Sequence, residues 1–236
     1  MGIKMGIIGF GYMGHWHLKN APKVDNVEVV AAYDIDPARV AEARETGLVG
    51  FDTLDEFLKS DLFNLVLVAT PNDKHCELVC AALNAGKNVI CEKPVAMSLA
   101  ELDKMIDTAK ANNKLFTVHQ NRRWDKDFRI VKEVYDSGEL GHVYSIQTRL
   151  HGSRGAMFGW RAEPEHGGGM IYDWGVHFVD QLLFMMGAAS PCTPSFTQIT
   201  PPSSQLKSRI HSVPLSPVTS QRGLGLSTKV PISICA

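Results

Sequence analysis

The chain has 236 residues, 44% of them hydrophobic and 21% charged, with a formal net charge of −1. That balance describes a globular protein long enough for one large domain or two modest ones, with no electrostatic basis for binding nucleic acid or an anionic membrane. No apolar run approaches the roughly 18 residues of a membrane-crossing helix, and no charged start leads into a cleavable apolar stretch, so a cytoplasmic protein is expected. There are five cysteines. Cys76 and Cys80 would share one helix face, but no CxxC or Cys/His ligand set accompanies them, and reduced thiols are expected.

From the N-terminus, Met5–Gly9 reads as a buried strand and Met13–Asn20 as a helix. Val27–Asp34 is a strand, and Pro37–Thr46 a helix with Pro in its first turn. Thr53–Ser60 is a short helix and Leu65–Thr70 a buried strand. Asp73–Ala85 is a helix stopped by Gly86. Asn88–Cys91 is a strand. Ser98–Asn112 is a helix with Ser98 as N-cap and Glu101 completing a capping box. Leu115–His119 is a further strand. Strands alternating with helices in this way predict an α/β fold with a parallel sheet and helices on both faces.

Beyond residue 122 the pattern changes. Asp125–Asp136 is helical, Val143–Leu150 alternates as a half-exposed strand, Arg154–Gly168 is loop-like and Met170–Met186 is strongly helical. The predicted organisation is therefore 1–122, 123–187 and a tail, 188–236. The tail has 49 residues, of which Ser, Thr and Pro make up 22, and it holds no Asp or Glu. It reads either as a natural disordered linker or as an out-of-frame or aberrantly spliced replacement of a true C-terminus. The abrupt loss of every acidic residue straight after a core helix favours the second.

Three stretches carry chemistry. "GFGYMG" places Gly9, Gly11 and Gly14 at GxGxxG spacing between a strand and a helix, the arrangement that brings backbone N–H groups and a helix N-terminus to a pyrophosphate. Asp34 ends the second strand, 20 residues after Gly14, where a carboxylate accepts hydrogen bonds from ribose hydroxyls. It would repel a 2′-phosphate, so NAD is favoured over NADP. The competing reading makes Asp34 a helix cap ahead of Pro37. "ATPNDKH" and "CEKP" lie at the carboxyl ends of successive strands, where open α/β sheets bind ligands; Glu92 and Lys93 could instead be a solvated surface pair. In "GGGMIYDWGVHFVD", Asp173 and His177 are four apart on one helix face behind Gly167–Gly169. His177 suits proton transfer near neutral pH, and a carboxylate can orient it. A metal pair with His166 lacks a fourth ligand, so no metal is expected; a plain surface ion pair is the other alternative.

Together these residues resemble the Gfo/Idh/MocA family, the glucose-fructose oxidoreductase and inositol dehydrogenase group, from Ile3 to about Gly187. Gly9, Gly11, Gly14 and Asp34 match its cofactor fingerprint, Thr70–Pro71–Asn72 and His75 its TPN segment, and Glu92–Lys93–Pro94 its EKP motif. Asn121–Arg122–Arg123 resembles the segment ending its sixth strand, and Trp160–Arg161 its Trp-Arg pair near the cofactor. Gly168–Gly169, Asp173 and His177 match its GG….D.G.H pattern. The resemblance implies a Rossmann domain followed by an α/β substrate domain whose large sheet often forms a homo-oligomer interface. This chain departs from the pattern after Gly187, where most of those strands would follow, so the substrate domain is expected to be incomplete.

The activity so implied is NAD-dependent hydride transfer to or from a sugar, inositol or related polyol. Lys93, Asp173 and His177 would be the catalytic residues. Thr70, Pro71, Asn72, His75, Glu92, Lys93 and Arg161 would join the glycines and Asp34 around the cofactor. His177 is the expected general base, Asp173 orients it or binds a neighbouring hydroxyl, and Lys93 stabilises charge on the reacting oxygen. Rival readings are a short-chain dehydrogenase, for which no YxxxK pair is present, a methyltransferase, and a nucleotide-binding or sensory protein or catalytically impaired product that keeps only cofactor binding.

Overall fold

The computed structural model describes residues 2–150 and 159–187, together with the backbone of 232–235. The chain divides into two compact units, Met1–Arg123 with Met157–His177, and Trp124–Ala156 with Phe178–Ala236. The block expected over 123–187 is thus shared: its stretch 157–177 belongs with the first unit.

The first unit begins with β1 (Ile3–Ile8), α1 (Tyr12–Asn20), β2 (Val27–Tyr33), α2 (Pro37–Glu45), β3 (Val49–Phe51) and α3 (Leu54–Lys59). It continues through β4 (Leu65–Val68), α4 (His75–Asn84), β5 (Asn88–Cys91), α5 (Leu99–Ala111) and β6 (Phe116–Val118). The six strands form one parallel sheet in the order β3-β2-β1-β4-β5-β6. The order reverses between β1 and β4, so the chain leaves those strands in opposite directions and opens a crevice at their carboxyl ends.

Alternation along the central strands buries both faces of the sheet. Ile8, Val66 and Val68 pack with Phe57, Val79, Leu83 and Met105 from the helices, whereas Ile7 and Leu67 belong to a separate cluster with Met5. All of these side chains are buried, which makes the sheet a rigid platform for its carboxyl-end loops.

Local signals set the helix starts. Asp36 caps α2 by accepting the Ala38 N–H at 2.9 Å, with Pro37 following it. Ser98 caps α5 by accepting the Glu101 N–H, but the Glu101 carboxylate takes the Met97 N–H at 2.8 Å, so the expected capping box reaches one residue further back. β3 was absent from the sequence expectation. Three residues centred on Gly50 are too few to show a strand period, and Val49–Phe51 becomes a strand by pairing with β2. Cys76, Cys80 and Cys91 are free thiols.

In the second unit, α6 (Lys126–Asp136) is followed by β7 (Ser145–Thr148), shorter than the expected Val143–Leu150. The Phe128 and Phe184 rings lie 6.4 Å apart, with the Lys132 ammonium 5.5 Å from the Phe184 ring centre. Phe184 is on α7 (Val176–Met186), which starts in the first unit and continues into the second. Of the tail, only the backbone of β8 (Ile232–Cys235) is described; it pairs antiparallel with β7 from Ser145↔Cys235 to Thr148↔Ile232. The rest of the expected aberrant or disordered tail lies outside the described residues, as do 151–158. No helix among the described residues is long and apolar enough to cross a membrane.

Candidate active site

The glycine turn after β1 shows what each glycine is for. Gly9 has φ +94°, and a Cβ there would stand 2.6 Å from the Ala69 carbonyl oxygen. A Cβ on Gly14 would stand 2.5 Å from the Gly9 carbonyl oxygen. Protein packing therefore explains both. A Cβ on Gly11 meets nothing within 4 Å, so the space beside it is open at the N-terminus of α1, where an anionic group is stabilised by unpaired N–H groups and the helix dipole. The cradle fits a pyrophosphate.

Asp34 follows β2 and faces this turn. Its Oδ2 accepts the Phe10 N–H at 2.7 Å and its Oδ1 the Asp36 N–H at 2.9 Å. Capping of α2 falls to Asp36, so the helix-cap reading of Asp34 does not hold. Each Asp34 oxygen accepts one hydrogen bond among the described residues and keeps lone-pair capacity for a ribose hydroxyl.

The loop after β4 is clamped on two sides. Buried Asn72 donates its amide to the Gly167 carbonyl at 2.9 Å. His75 is fully buried, with Nδ1 2.8 Å from the Pro94 carbonyl and Nε2 3.1 Å from the Thr70 carbonyl. Both ring nitrogens are occupied by backbone, so His75 shapes the Thr70–Pro71 turn and ties it to the end of β5. It thereby clips two of the loops that border the crevice. Burial, the largest influence, pushes its pKa down.

The residues after β5 divide their tasks. The Lys93 ammonium donates to the Asp173 carbonyl at 2.8 Å and to Asp173 Oδ1 at 2.9 Å. Arg161 Nε lies 3.6 Å from the same Oδ1. Glu92 is buried, and its Oε1 is 2.7 Å from His17 Nε2 and 3.0 Å from His119 Nδ1, while Oε2 accepts the Lys93 N–H. His17 and His119 were missed in sequence reasoning: they stand 75 and 27 residues from Glu92, and only the sheet order brings them together.

Asp173 and His177 sit where the expected continuous helix is interrupted. Ile171–Gly175 forms a π turn, and α7 begins after it. Such a turn is wider than an α turn and recurs at functional sites. The wider turn changes the hydrogen-bonding of the helix at this point but keeps Asp173 near enough to His177 to act on its charge. Asp173 faces Lys93 and Arg161, and the buried Nδ1 of His177 has no hydrogen-bond partner among the described residues. The Arg122 guanidinium stacks 4.1 Å from the Trp174 ring centre, and the Trp174 and His177 rings are 6.0 Å apart. Burial, followed by the positive charges of Lys93 and Arg122, pushes the His177 pKa down to about 3. His177 is therefore neutral at pH 7.

Residues 3–120 match the oxidoreductase family with an NAD-binding Rossmann fold, GFO/IDH/MocA, and residues 128–204 match the GFO/IDH/MocA C-terminal domain. The chain belongs to the Gfo/Idh/MocA oxidoreductase family. Within that family it is 35% identical over 201 residues to an oxidoreductase of Schizosaccharomyces pombe, covering 81% of this chain and 53% of that protein. It is 29% identical over 194 residues to the scyllo-inositol 2-dehydrogenase (NADP(+)) IolW of Bacillus subtilis, covering 81% and 54%. The crystal structure of an NAD-binding protein from Listeria innocua is similar with a TM-score of 0.76 and 44% identity, over 78% of this chain and 55% of that one. The chain spans about half the length of the curated relatives it matches. The Gfo/Idh/MocA C-terminal match runs 17 residues past Gly187.

The buried neutral imidazole has a consequence for stability. An unfolded His177 takes up a proton below its ordinary pKa of 6.5, whereas the folded one resists until about 3. The unfolded state binds more protons in that window, so stability is full above about pH 6.5 and falls as the pH is lowered towards 3. Urea unfolding measured at several pH values should show this slope, and His177→Gln should flatten it. An identical slope in the variant would contradict the burial of a neutral imidazole.

Proposed function

We propose that this Gfo/Idh/MocA chain is built for NAD-dependent hydride transfer to or from a sugar, inositol or related polyol. The observation that carries the reading is the Lys93 ammonium fixed on Asp173 at 2.8 and 2.9 Å within the electrostatic reach of a neutral, buried His177. The inositol dehydrogenase among its relatives supports the polyol class.

When bound, the nicotinamide ring supplies the hydride acceptor or donor. The protein's own groups handle the proton and the charge. Gly11 and the N-terminus of α1 hold the pyrophosphate, and Asp34 takes the adenosine ribose hydroxyls. Lys93 donates a hydrogen bond to the reacting oxygen and stabilises negative charge on it as the hydroxyl loses its proton. His177, uncharged at neutral pH, accepts that proton. Burial and then the Lys93 and Arg122 charges disfavour the imidazolium, so His177 gives the proton up to solvent water after the transfer. Asp173 keeps the ammonium aimed and leaves Oδ2 for a neighbouring substrate hydroxyl; the unpartnered Nδ1 of His177 favours this role over orienting the imidazole.

Asp34 makes the cofactor choice. A 2′-phosphate would bring negative charge against its carboxylate, and the structure sets no basic side chain against Asp34 in any described contact. The NADP-dependent relative shows that the choice varies within the family. Fluorescence titration should give tighter binding of NADH than NADPH, with the difference reduced in Asp34→Ala. Equal affinities in the parent chain would contradict the assignment.

Lys93→Ala should leave NADH affinity little changed while turnover in a screen of inositols and sugars falls about 10²–10³-fold, the range for loss of one charge-stabilising donor. Unimpaired turnover with lost NADH binding would place Lys93 at the wrong end of the site.

A further inference from the structure

The cluster of His17, Glu92 and His119 is not used by the hydride-transfer chemistry. Its three donor atoms, His17 Nε2, Glu92 Oε1 and His119 Nδ1, all lie within 4.8 Å of one another. They come from α1, from the residue after β5 and from the residue after β6, three elements fixed by the sheet. The side chains of Glu92 and His17 are 7% and 11% exposed, and that of His119 is 25% exposed. The carboxylate is thus buried, and among the described residues its ion-pair partners are these two imidazoles, with no Lys or Arg side chain. Lys93, next in sequence, sends its ammonium away to Asp173.

Two imidazole nitrogens and one carboxylate oxygen converging on a point form the donor set that zinc takes with three protein ligands and one further position. The edges from Oε1 to the two nitrogens are 2.7 and 3.0 Å. Tetrahedral donors at zinc bond lengths stand about 3.4 Å apart, so insertion of an ion requires the two Glu92 contacts to open by about 0.7 and about 0.4 Å. The partly exposed His119 side chain gives the cluster access from solvent. A second His and carboxylate group, at His166, lacks this convergence. There Asp73 meets Nδ1 at 3.1 Å and Glu163 meets Nε2 at 3.5 Å, on opposite sides of the ring.

The geometry points to a binding site for a divalent transition-metal ion of the zinc class, held by His17, Glu92 and His119, which fastens α1 to the ends of β5 and β6. The site is structural in position, since its ligands face one another behind Lys93, and it stands independently of the substrate assignment. Three sequence-distant ligands in one shell make it a cross-link that the unfolded chain cannot form.

The test uses the full chain freed of metal with a chelator and titrated with Co²⁺, then with Zn²⁺ in competition. The expected result is a ligand-field absorption that saturates at a single Co²⁺ per chain, is displaced by Zn²⁺, and accompanies a rise in the thermal midpoint. His17→Gln and His119→Gln should each weaken binding at least about 100-fold, beyond the effect of losing an outer-shell partner, whereas His166→Gln should leave it unchanged. Circular dichroism and NADH binding confirm that each variant is folded; if His17→Gln is not, His119→Gln alone decides. No saturable Co²⁺ spectrum, or binding that survives in a folded His119→Gln, overturns the proposal, as does loss of binding in His166→Gln.

Discussion

The contact between Lys93 and Asp173 is the interaction on which the site depends. It joins residues 80 apart in sequence, the end of β5 and the π turn ahead of α7. Both side chains are mostly withdrawn from solvent. A largely buried ammonium needs an anionic partner, and removing one member of such a pair leaves the other uncompensated. The pairing therefore fixes where the π turn lies against the sheet edge, and with it the position of His177. The clamps around it serve the same end. Asn72 holds Gly167 just before the π turn, and His75 ties the Thr70 turn to Pro94.

Electrostatics then decides what each group can do. Lys93 and Arg122 bring positive charge towards a buried imidazole, and burial already disfavours its charged form, so His177 stays neutral. Glu92, just after β5, shows the opposite outcome. Burial alone would raise its pKa, but the hydrogen bonds and charges of His119 and His17 outweigh burial and hold it well below the ordinary carboxylate range. One fold thus keeps a neutral base and an ionised acid, 85 residues apart in sequence, by giving each different neighbours.

Much of this was legible in the sequence, for local reasons. The strand, glycine turn and helix around Gly9–Gly14, the strand-ending Asp34 and the cap at Ser98 are all short-range features, and the structure contains each, whereas the cap of α2 proved to be Asp36. Legibility failed where pairing or turn geometry decides. Val49–Phe51 becomes a strand only beside β2. The four-residue spacing of Asp173 and His177 was legible, but the π turn they share and the pairing of Asp173 with Lys93 were not. The complete burial of His75 between the Thr70 and Pro94 carbonyls was likewise not legible, because it depends on how two loops pack together. The convergence of His17 and His119 on Glu92 depends on the strand order, which no local pattern encodes.

The central claim is that the carboxyl edge of the β1–β4 crevice binds a nicotinamide dinucleotide with its adenosine end at Asp34 and its reactive end at Lys93. Hydrogen-exchange mass spectrometry of the chain with and without NADH tests it most directly. The account predicts added protection in the Gly9–Gly14 turn, around Asp34, and in the Thr70–Asn72 and Glu92–Lys93 segments. The amino ends of the same strands, near Ile3 and Val27, should be unaffected. Protection confined to those amino ends, or no change at the glycine turn with NADH bound, would contradict it.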